Sequence, residues 1–327
     1  MLCEKCHTRK PIIWLRDQKI HLCLECLEQY ILDNIRRELN KENVCGKHIL
    51  IASSGGKDSQ VLTYTLNLLK NEYNYELTVV TIDEGISNYS IEKIKYVKEL
   101  CDKLNITLLT YRLSDYYHIT IDKVAELYLA RKIPYKPCTI CGVFKRQLIN
   151  ILAREIGADY IATGHNLDDE AQGIIMNIIR GDFNTIIREY ESKTRKSTLL
   201  VQRIKPLRNI KEKTIATYIL AKKLPYYKPK CPHVKYSLRN TLRRILNALE
   251  EIYPGIKRQI LELKELTPKI ILEKNKVKPR YNYCKICGEP SASNLCRACQ
   301  LKQVISKIIS KTDLTKTDIK IKEKWKE

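Results

Sequence analysis

The stretch Ile49-Leu50-Ile51-Ala52-Ser53-Ser54-Gly55-Gly56-Lys57-Asp58-Ser59 decides the fold. Four apolar residues run into a Ser-Gly-Gly turn, and helical spacing starts behind it with Ser59, Val61, Leu62 and Leu66. That order predicts a strand, a tight turn and a helix N-terminus. Such a turn offers unpaired backbone N–H groups and the positive end of a helix dipole, which suits phosphate. Gly55 and Gly56 are expected to supply positive φ and close approach to a ligand. The loop is not a Walker A motif, because Lys57 precedes Asp58 and position 51 is isoleucine rather than glycine. A Ser/Gly turn after a strand is more often only a turn, so the rest of the chain has to decide.

Working outward, strand and helix patterns alternate. Strands are expected at Ile49–Ala52, Leu77–Ile82, Thr107–Leu113 and Tyr160–Thr163. Helices are expected at Ser59–Lys70, Ile91–Leu104, Ile121–Arg131, Cys141–Ile156 and Asp168–Arg180. This alternation predicts a parallel α/β sheet covered on both faces, with ligands outside the carboxyl edge of its strands. Ahead of it, Tyr30–Leu39 reads as a helix and Asn40–Gly46 as a connector. Behind it come a charged loop (Gly181–Lys196), helices at Thr214–Lys223, Leu238–Ile252 and Gln259–Leu266, a linker at Lys274–Tyr281 and a Lys-rich helix or tail from Val304.

The 327 residues carry 59 Lys plus Arg against 37 Asp plus Glu, a formal net charge of +22. Such an excess favours a polyanionic partner, since neutralised phosphates release counterions. A Lys-rich surface typical of a hot source would explain the same numbers. No apolar run approaches the roughly 18 residues of a membrane span, and the opening residues, with Cys3 and Cys6, do not resemble a signal peptide. A cytoplasmic location without membrane association is expected. In that compartment thirteen cysteines read as metal ligands rather than disulfides.

The cysteines sort by spacing. Cys3 and Cys6, then Cys23 and Cys26, are two CxxC pairs separated by sixteen residues; Cys284, Cys287, Cys296 and Cys299 repeat the pattern with an insert of eight. Each set matches a four-thiolate zinc ribbon. His7 and His21 are bystanders on this reading, and Lys5, Arg9, Lys10, Lys285 and Arg297 would face a partner. A third group is incomplete. Cys138 and Cys141 form a CxxC, and the nearest suitable companion is Cys231, ninety residues after Cys141. Zinc would take His233 as fourth ligand, whereas a 4Fe–4S cluster on three thiolates keeps one iron open. Cys45 and Cys101 read as small buried hydrophobes.

Taken together, SGGKDS (Ser54–Ser59), DEGIS (Asp83–Ser87), CTICGVFKRQ (Cys138–Gln147), TGHNLDDEAQ (Thr163–Gln172), Cys231 and the terminal ribbons resemble the tRNA 2-thiouridine synthetases, PP-loop ATP pyrophosphatases that act as sulfurtransferases. The match covers nearly the whole chain. GVFKRQ and MNIIRGD (Met176–Asp182) are closer to the wobble-uridine branch, while LDDE leans toward the T-loop branch; the wobble reading is preferred. The resemblance implies a PP-loop domain of the adenine nucleotide alpha hydrolase-like fold at 31–230. It further implies a zinc ribbon at 1–30, a helical extension at 231–275 carrying the third core cysteine, a second ribbon at 276–302 and a basic tail at 303–327.

It also implies chemistry. ATP with Mg²⁺ would adenylylate the uridine O2, and sulfur would displace AMP. Ser53, Ser54, Gly55, Gly56 and Ser59 would cradle pyrophosphate, with Lys57 offsetting its charge and Asp58 orienting the loop or Mg²⁺. Asp83, Gly164 and His165 fall at the nucleotide crevice. Lys145 and Asp169 would be the catalytic pair. Without the resemblance Lys145 reads as part of a solvated basic face, and Asp168 or Asp169 as a helix cap. Cys138, Cys141 and Cys231 would hold the 4Fe–4S cluster; a persulfide and disulfide relay on the same thiols is the alternative. tRNA is the expected partner, sulfide or a ubiquitin-like thiocarboxylate carrier the sulfur donor, and a homodimer the expected assembly. A PP-loop tRNA ligase would have no use for the core cysteines, the thiocytidine branch typically lacks both ribbons, and a zinc-ribbon RNA-binding module would leave SGGKDS and DEGIS unexplained.

Overall fold

A computed structural model describes residues 1–182, 199–236, 238–263, 282–291 and 293–324. The chain opens with an antiparallel hairpin, β1 (Ile13–Leu15) and β2 (Ile20–Leu22), followed by α1 (Leu24–Leu39). That helix starts six residues earlier than the apolar spacing from Tyr30 indicates. Cys23 is its N-cap residue and Cys26 lies in its first turn. Placing a CxxC at a helix start brings its two thiols onto one side of the first turn. Helix α1 runs without a break through residue 30 into the central domain.

The central sheet has five parallel strands: β3 (His48–Ala52), β4 (Glu76–Asp83), β5 (Thr107–Arg112), β6 (Tyr160–Thr163) and β7 (Gln202–Ile204), in the order β5-β4-β3-β6-β7. The last strand carries no apolar run and went unread in the sequence. Helices α2 (Lys57–Tyr73), α3 (Ser90–Leu104), α4 (Leu113–Tyr117), α5 (Ile121–Leu129), α6 (Pro137–Glu155) and α7 (Leu167–Ile179) connect the strands. Leu113, expected at the end of a strand, instead opens the short α4. Both faces of the sheet are covered: Ile49, Ile51 and Val79 pack in one core with α1 and α2, while Leu50, Val80 and Ile161 pack in another with α5 and α6. Residues that alternate along a strand therefore serve opposite cores.

The chain leaves β3 toward β4 on one side and later returns to pair β6 on the other. This reversal is a topological switch point, where the loops after β3 and β6 diverge and leave a crevice. SGGKDS follows β3 and GHNLDD follows β6, so the two motifs meet by topology alone.

Behind the sheet lie α8 (Glu212–Ala221), a 3₁₀ turn (Pro232–Tyr236), α9 (Leu238–Ile252) and a helix at 256–263, designated α10. The second ribbon pairs β8 (Asn282–Tyr283) with β9 (Pro290–Ser291) and leads into α11 (Arg297–Lys324). The expected charged loop falls outside the described residues over 183–196, as does the linker at 274–281. Among the described residues no helix is long and apolar enough to cross a membrane.

Candidate active site

Gly55 has φ +75°, and a Cβ there would lie 2.7 Å from the Lys93 carbonyl oxygen, so both the turn and the packing require glycine. Gly56 differs from expectation: its φ is −79°, it is the N-cap of α2, and a Cβ would meet only ordinary contacts. A position free of protein crowding on a helix cap suits close approach by a ligand instead. No side chain caps this helix, which leaves its first N–H groups for an anion. The Ser59 hydroxyl donates to the Gly56 carbonyl at 3.0 Å and accepts from the Ser54 N–H at 3.2 Å, closing the loop. Ser53 is buried beside it, within 3.3 Å of Ser59 Oγ.

Lys57 turns away from the loop. Its Nζ donates to Asp58 Oδ2 at 2.9 Å and to Glu212 Oε1 at 2.7 Å. Burial alone would lower its pKa, but Asp58 and Glu212 override that and hold the ammonium above the usual lysine range. Asp58 Oδ1 also accepts from Asn166 Nδ2 at 2.9 Å. Across the crevice, Gly164 lies against α2: a Cβ there would be 3.0 Å from the Ser59 backbone nitrogen.

Asn166 is the N-cap of α7, and Asp169 completes a capping box with it. Of the two aspartates, Asp169 is therefore the one that takes part in the cap. Asp168 is buried, ion-paired with Lys257 and hydrogen-bonded to the backbone N–H of Glu212 at 2.7 Å, so it anchors the start of α8 and the helix at 256–263. Asp169 opens into a cleft lined by Asp58, Asn166, Glu212, Arg239 and Arg243 among others. Burial pushes both the Asp58 and Asp169 carboxyls up. Two such carboxylates in the first turns of α2 and α7, both lining the cleft, are the donor type a hard divalent cation takes. His165 Nδ1 lies 2.9 Å from Thr163 Oγ1; burial, helped by nearby Lys205, lowers its pKa to about 4. Asp83 ends β4 and accepts the Gly85 N–H at 2.7 Å, shaping the turn that follows.

That turn holds Glu84, a residue the sequence reading passed over. Its carboxylate is 3% exposed and lies between Lys93, also buried, and Lys145, whose Nζ is 3.0 Å away. Burial alone would raise the Glu84 pKa, yet Lys145 and Lys93 bring it down to about 2. Lys145 in turn is held above the usual range by Cys141 and Glu84. Lys145 is thus a half-buried partner of Glu84 rather than a freely solvated side chain.

Helix α6 begins at Pro137, four residues before the expected Cys141, with proline in its first turn. Cys138, Cys141 and Lys145 consequently share one helix at i, i+3 and i+7 and project on one side. Cys231 comes to the same place through the 3₁₀ turn: the Cys138 thiol donates to the His233 carbonyl at 3.2 Å, and Val143 and Cys231 border the same core. His233 Nε2 lies 2.8 Å from Asp122 Oδ1, which leaves Nδ1 as its remaining ligand atom. Burial raises the pKa of all three thiols. Among the described residues, the sets whose ligand atoms all fall within 4.8 Å of one another are the two four-cysteine groups. Three thiols more widely separated than the terminal sets fit a multinuclear cluster better than a single ion.

The terminal groups fit a tetrahedral ion. Cys6 and Cys23 sulfurs are 3.8 Å apart, and those of Cys287 and Cys296 are 3.6 Å apart; four thiolates about 2.3 Å from zinc subtend similar edges. His21 is hydrogen-bonded to Glu4 and stands outside the first set. Cys101 is buried as expected, whereas Cys45 is exposed, since it sits on the connector ahead of β3 rather than in a helix.

A family profile described as a PP-loop domain matches residues 31–249. The probable sulfurtransferase of Methanocaldococcus jannaschii is 36% identical over 285 residues, which span 85% of this chain and 81% of that protein. The tRNA 2-thiolation protein NcsA of Haloferax volcanii is 33% identical over 331 residues, spanning 94% of this chain and all of that one (100%). Among solved structures, the U34-tRNA thiolase NcsA from Methanococcus maripaludis with its 4Fe–4S cluster superposes with a TM-score of 0.78 at 30% identity, covering 92% of this chain and 95% of that one. The chain belongs to the tRNA 2-thiolation family of PP-loop sulfurtransferases.

Proposed function

We propose that this chain replaces O2 of the wobble uridine of tRNA with sulfur, using ATP to make that oxygen a leaving group. The uridine O2 attacks the α-phosphorus, pyrophosphate departs, and a sulfur nucleophile then adds at C2 and expels AMP. The observation that carries this reading is the run of contacts from the phosphate turn to the thiol-bearing helix: Gly55 packs on the Lys93 backbone, Lys93 pairs with Glu84, and Glu84 holds Lys145, one turn beyond Cys141.

In this scheme the N–H groups after Gly56 and the hydroxyls of Ser53, Ser54 and Ser59 hold the departing pyrophosphate. Lys57, released from Glu212, offsets its charge. Asp58 and Asp169 provide oxygen ligands for Mg²⁺. Asp83, Gly164 and neutral His165 border the nucleoside. Lys145, fixed by Glu84, stabilises negative charge as it develops at the reacting carbonyl. Cys138, Cys141 and Cys231 hold a 4Fe–4S cluster, which when bound supplies one iron open to an incoming sulfur species. The two ribbons hold zinc and, with the basic surface, support tRNA. The resemblance of GVFKRQ to the wobble branch and the likeness to a U34-tRNA thiolase favour the wobble position.

The test is an anaerobic reaction with tRNA, ATP, Mg²⁺ and sulfide, followed by digestion and mass analysis of nucleosides. Appearance of 2-thiouridine at the anticodon is expected. An adenylylated or lysylated nucleoside, or sulfur confined to the T-loop, would overturn the assignment.

A further inference from the structure

We infer that Arg239 and Arg243 of α9 are the arginines that bind the β- and γ-phosphates of ATP, a role resting on the proposed nucleotide site and reaching beyond its PP-loop residues. The two are four residues apart, so they lie on one face of the helix, and both line the cleft with Asp58, Asp169 and Glu212. Arg239 Nη1 is 3.4 Å from Asp169 Oδ1, and Arg243 Nη1 is 3.9 Å from Glu212 Oε1. The neighbouring Arg244 is exposed and does not line the cleft.

The helix is placed there by a buried lock. Lys257 pairs with Asp168 at the start of α7 and also reaches Asn247 Oδ1 at 2.6 Å on α9. Lys211, just ahead of α8, adds a 2.6 Å bridge to Glu250. α9 is thus tied to the motif after β6, and its register against the phosphate turn is fixed.

The charges in the cleft balance within the protein. Lys57, Arg239 and Arg243 face Asp58, Asp169 and Glu212: Lys57 touches Asp58 and Glu212, Arg239 touches Asp169, and Arg243 approaches Glu212. When a divalent cation takes Asp58 and Asp169, the charge that held Arg239 is spent on the metal. A phosphate oxygen is then the better partner, since guanidinium matches it with two parallel hydrogen bonds. Arg243 is held less closely and can make the same exchange. The ends of ATP distal to the α-phosphate meet these arginines, whereas AMP has no group that requires them.

Equilibrium titration of the full-length protein with ATP and with AMP, in Mg²⁺ and without tRNA, tests this. Arg239→Gln and Arg243→Gln should each weaken ATP about tenfold or more, the typical effect of losing a charge-assisted hydrogen bond, and leave AMP affinity unchanged. Retained AMP binding also shows that the site is folded. Arg244→Gln should bind ATP like the unaltered protein, and Arg239→Lys should recover part of the loss. If the unaltered protein binds ATP and the double variant binds it equally well, the inference is overturned; if tRNA affinity falls instead, the arginines are an RNA contact. An unaltered protein that binds no ATP would sink the nucleotide reading itself.

Discussion

The backbone N–H of Tyr227 donates to the carbonyl oxygen of Gly55 at 2.9 Å. This single bond ties the phosphate turn to the segment that carries Cys231. Cys231 follows Tyr227 by four positions, and four extended steps span at most about 14 Å. A second tie runs through side chains: Gly55 packs on the Lys93 backbone, Lys93 pairs with Glu84, and Glu84 holds Lys145, one turn beyond Cys141. Nucleotide turn and thiols are joined twice.

Glu84 is expected to be a positioning residue whose loss is felt in two ways. Glu84→Gln leaves Lys93 buried without its charge partner, which costs about 3 kcal/mol or more, and frees Lys145. The double change Glu84→Leu with Lys93→Met should restore most of the thermal stability without restoring thiolation, because Lys145 stays unanchored. Melting curves and 2-thiouridine formation measured side by side check this. Recovery of both together would assign Glu84 a purely structural role.

The carboxy-terminal ribbon is predicted to sense α6. Gln147 Nε2 lies 3.5 Å from the Cys287 sulfur and 3.4 Å from that of Cys296, while its Oε1 accepts from Tyr117. Such outer contacts typically alter metal affinity by about 10- to 100-fold. Metal analysis should find two zinc ions per chain, one lost with Cys3→Ser and one with Cys284→Ser. Competition with a chromogenic chelator should show that Gln147→Ala loosens one zinc only. Loss of both, or of neither, would contradict the placement.

His165 sets an acid limit on stability. Its folded pKa of about 4 lies below the ordinary 6.5, so between those values the unfolded chain binds a proton that the folded chain refuses. Stability must therefore fall as pH drops from about 6.5 toward about 4. At pH 5 linkage sets the loss at no more than about 2 kcal/mol. His165→Gln should remove this part of the acid sensitivity, measured as the change in unfolding free energy between pH 7 and pH 5. An identical slope in both proteins would show that the ring is not buried neutral.

tRNA affinity should fall steeply as salt rises, in a linear log–log relation, given the net charge of +22. Filter binding between 50 mM and 200 mM salt, a range over which multiple phosphate contacts cost orders of magnitude, is sufficient. A flat response would mean that the basic excess serves no polyanion.

Local patterns carried most of the fold. SGGKDS announced strand, turn and helix because glycine and apolar periodicity act over a few residues, and CxxC spacing announced both ribbons for the same reason. Boundaries failed where chemistry overrode periodicity: Cys23 caps α1 and Pro137 begins α6, each ahead of the apolar spacing. The strand Gln202–Ile204 escaped because an edge strand three residues long leaves no pattern. In the site, Glu84 stood inside a quoted motif beside the residue that was chosen, and nothing local signals that a carboxylate will lie between two lysines. His233 illustrates the same limit, since its partner Asp122 lies 111 residues away and nothing local announces it. Arg239 and Arg243 were readable only as spacing, without the cleft that gives it meaning.

Cys138, Cys141 and Cys231 are expected to share one metal centre beside the nucleotide cleft. Iron and sulfide analysis with visible absorbance on anaerobically purified protein tests it most directly. About four irons per chain and a cluster absorbance band, both abolished by Cys231→Ala while the two zinc ions remain, is the expected result. A colourless, iron-free protein that thiolates tRNA at full rate would contradict it.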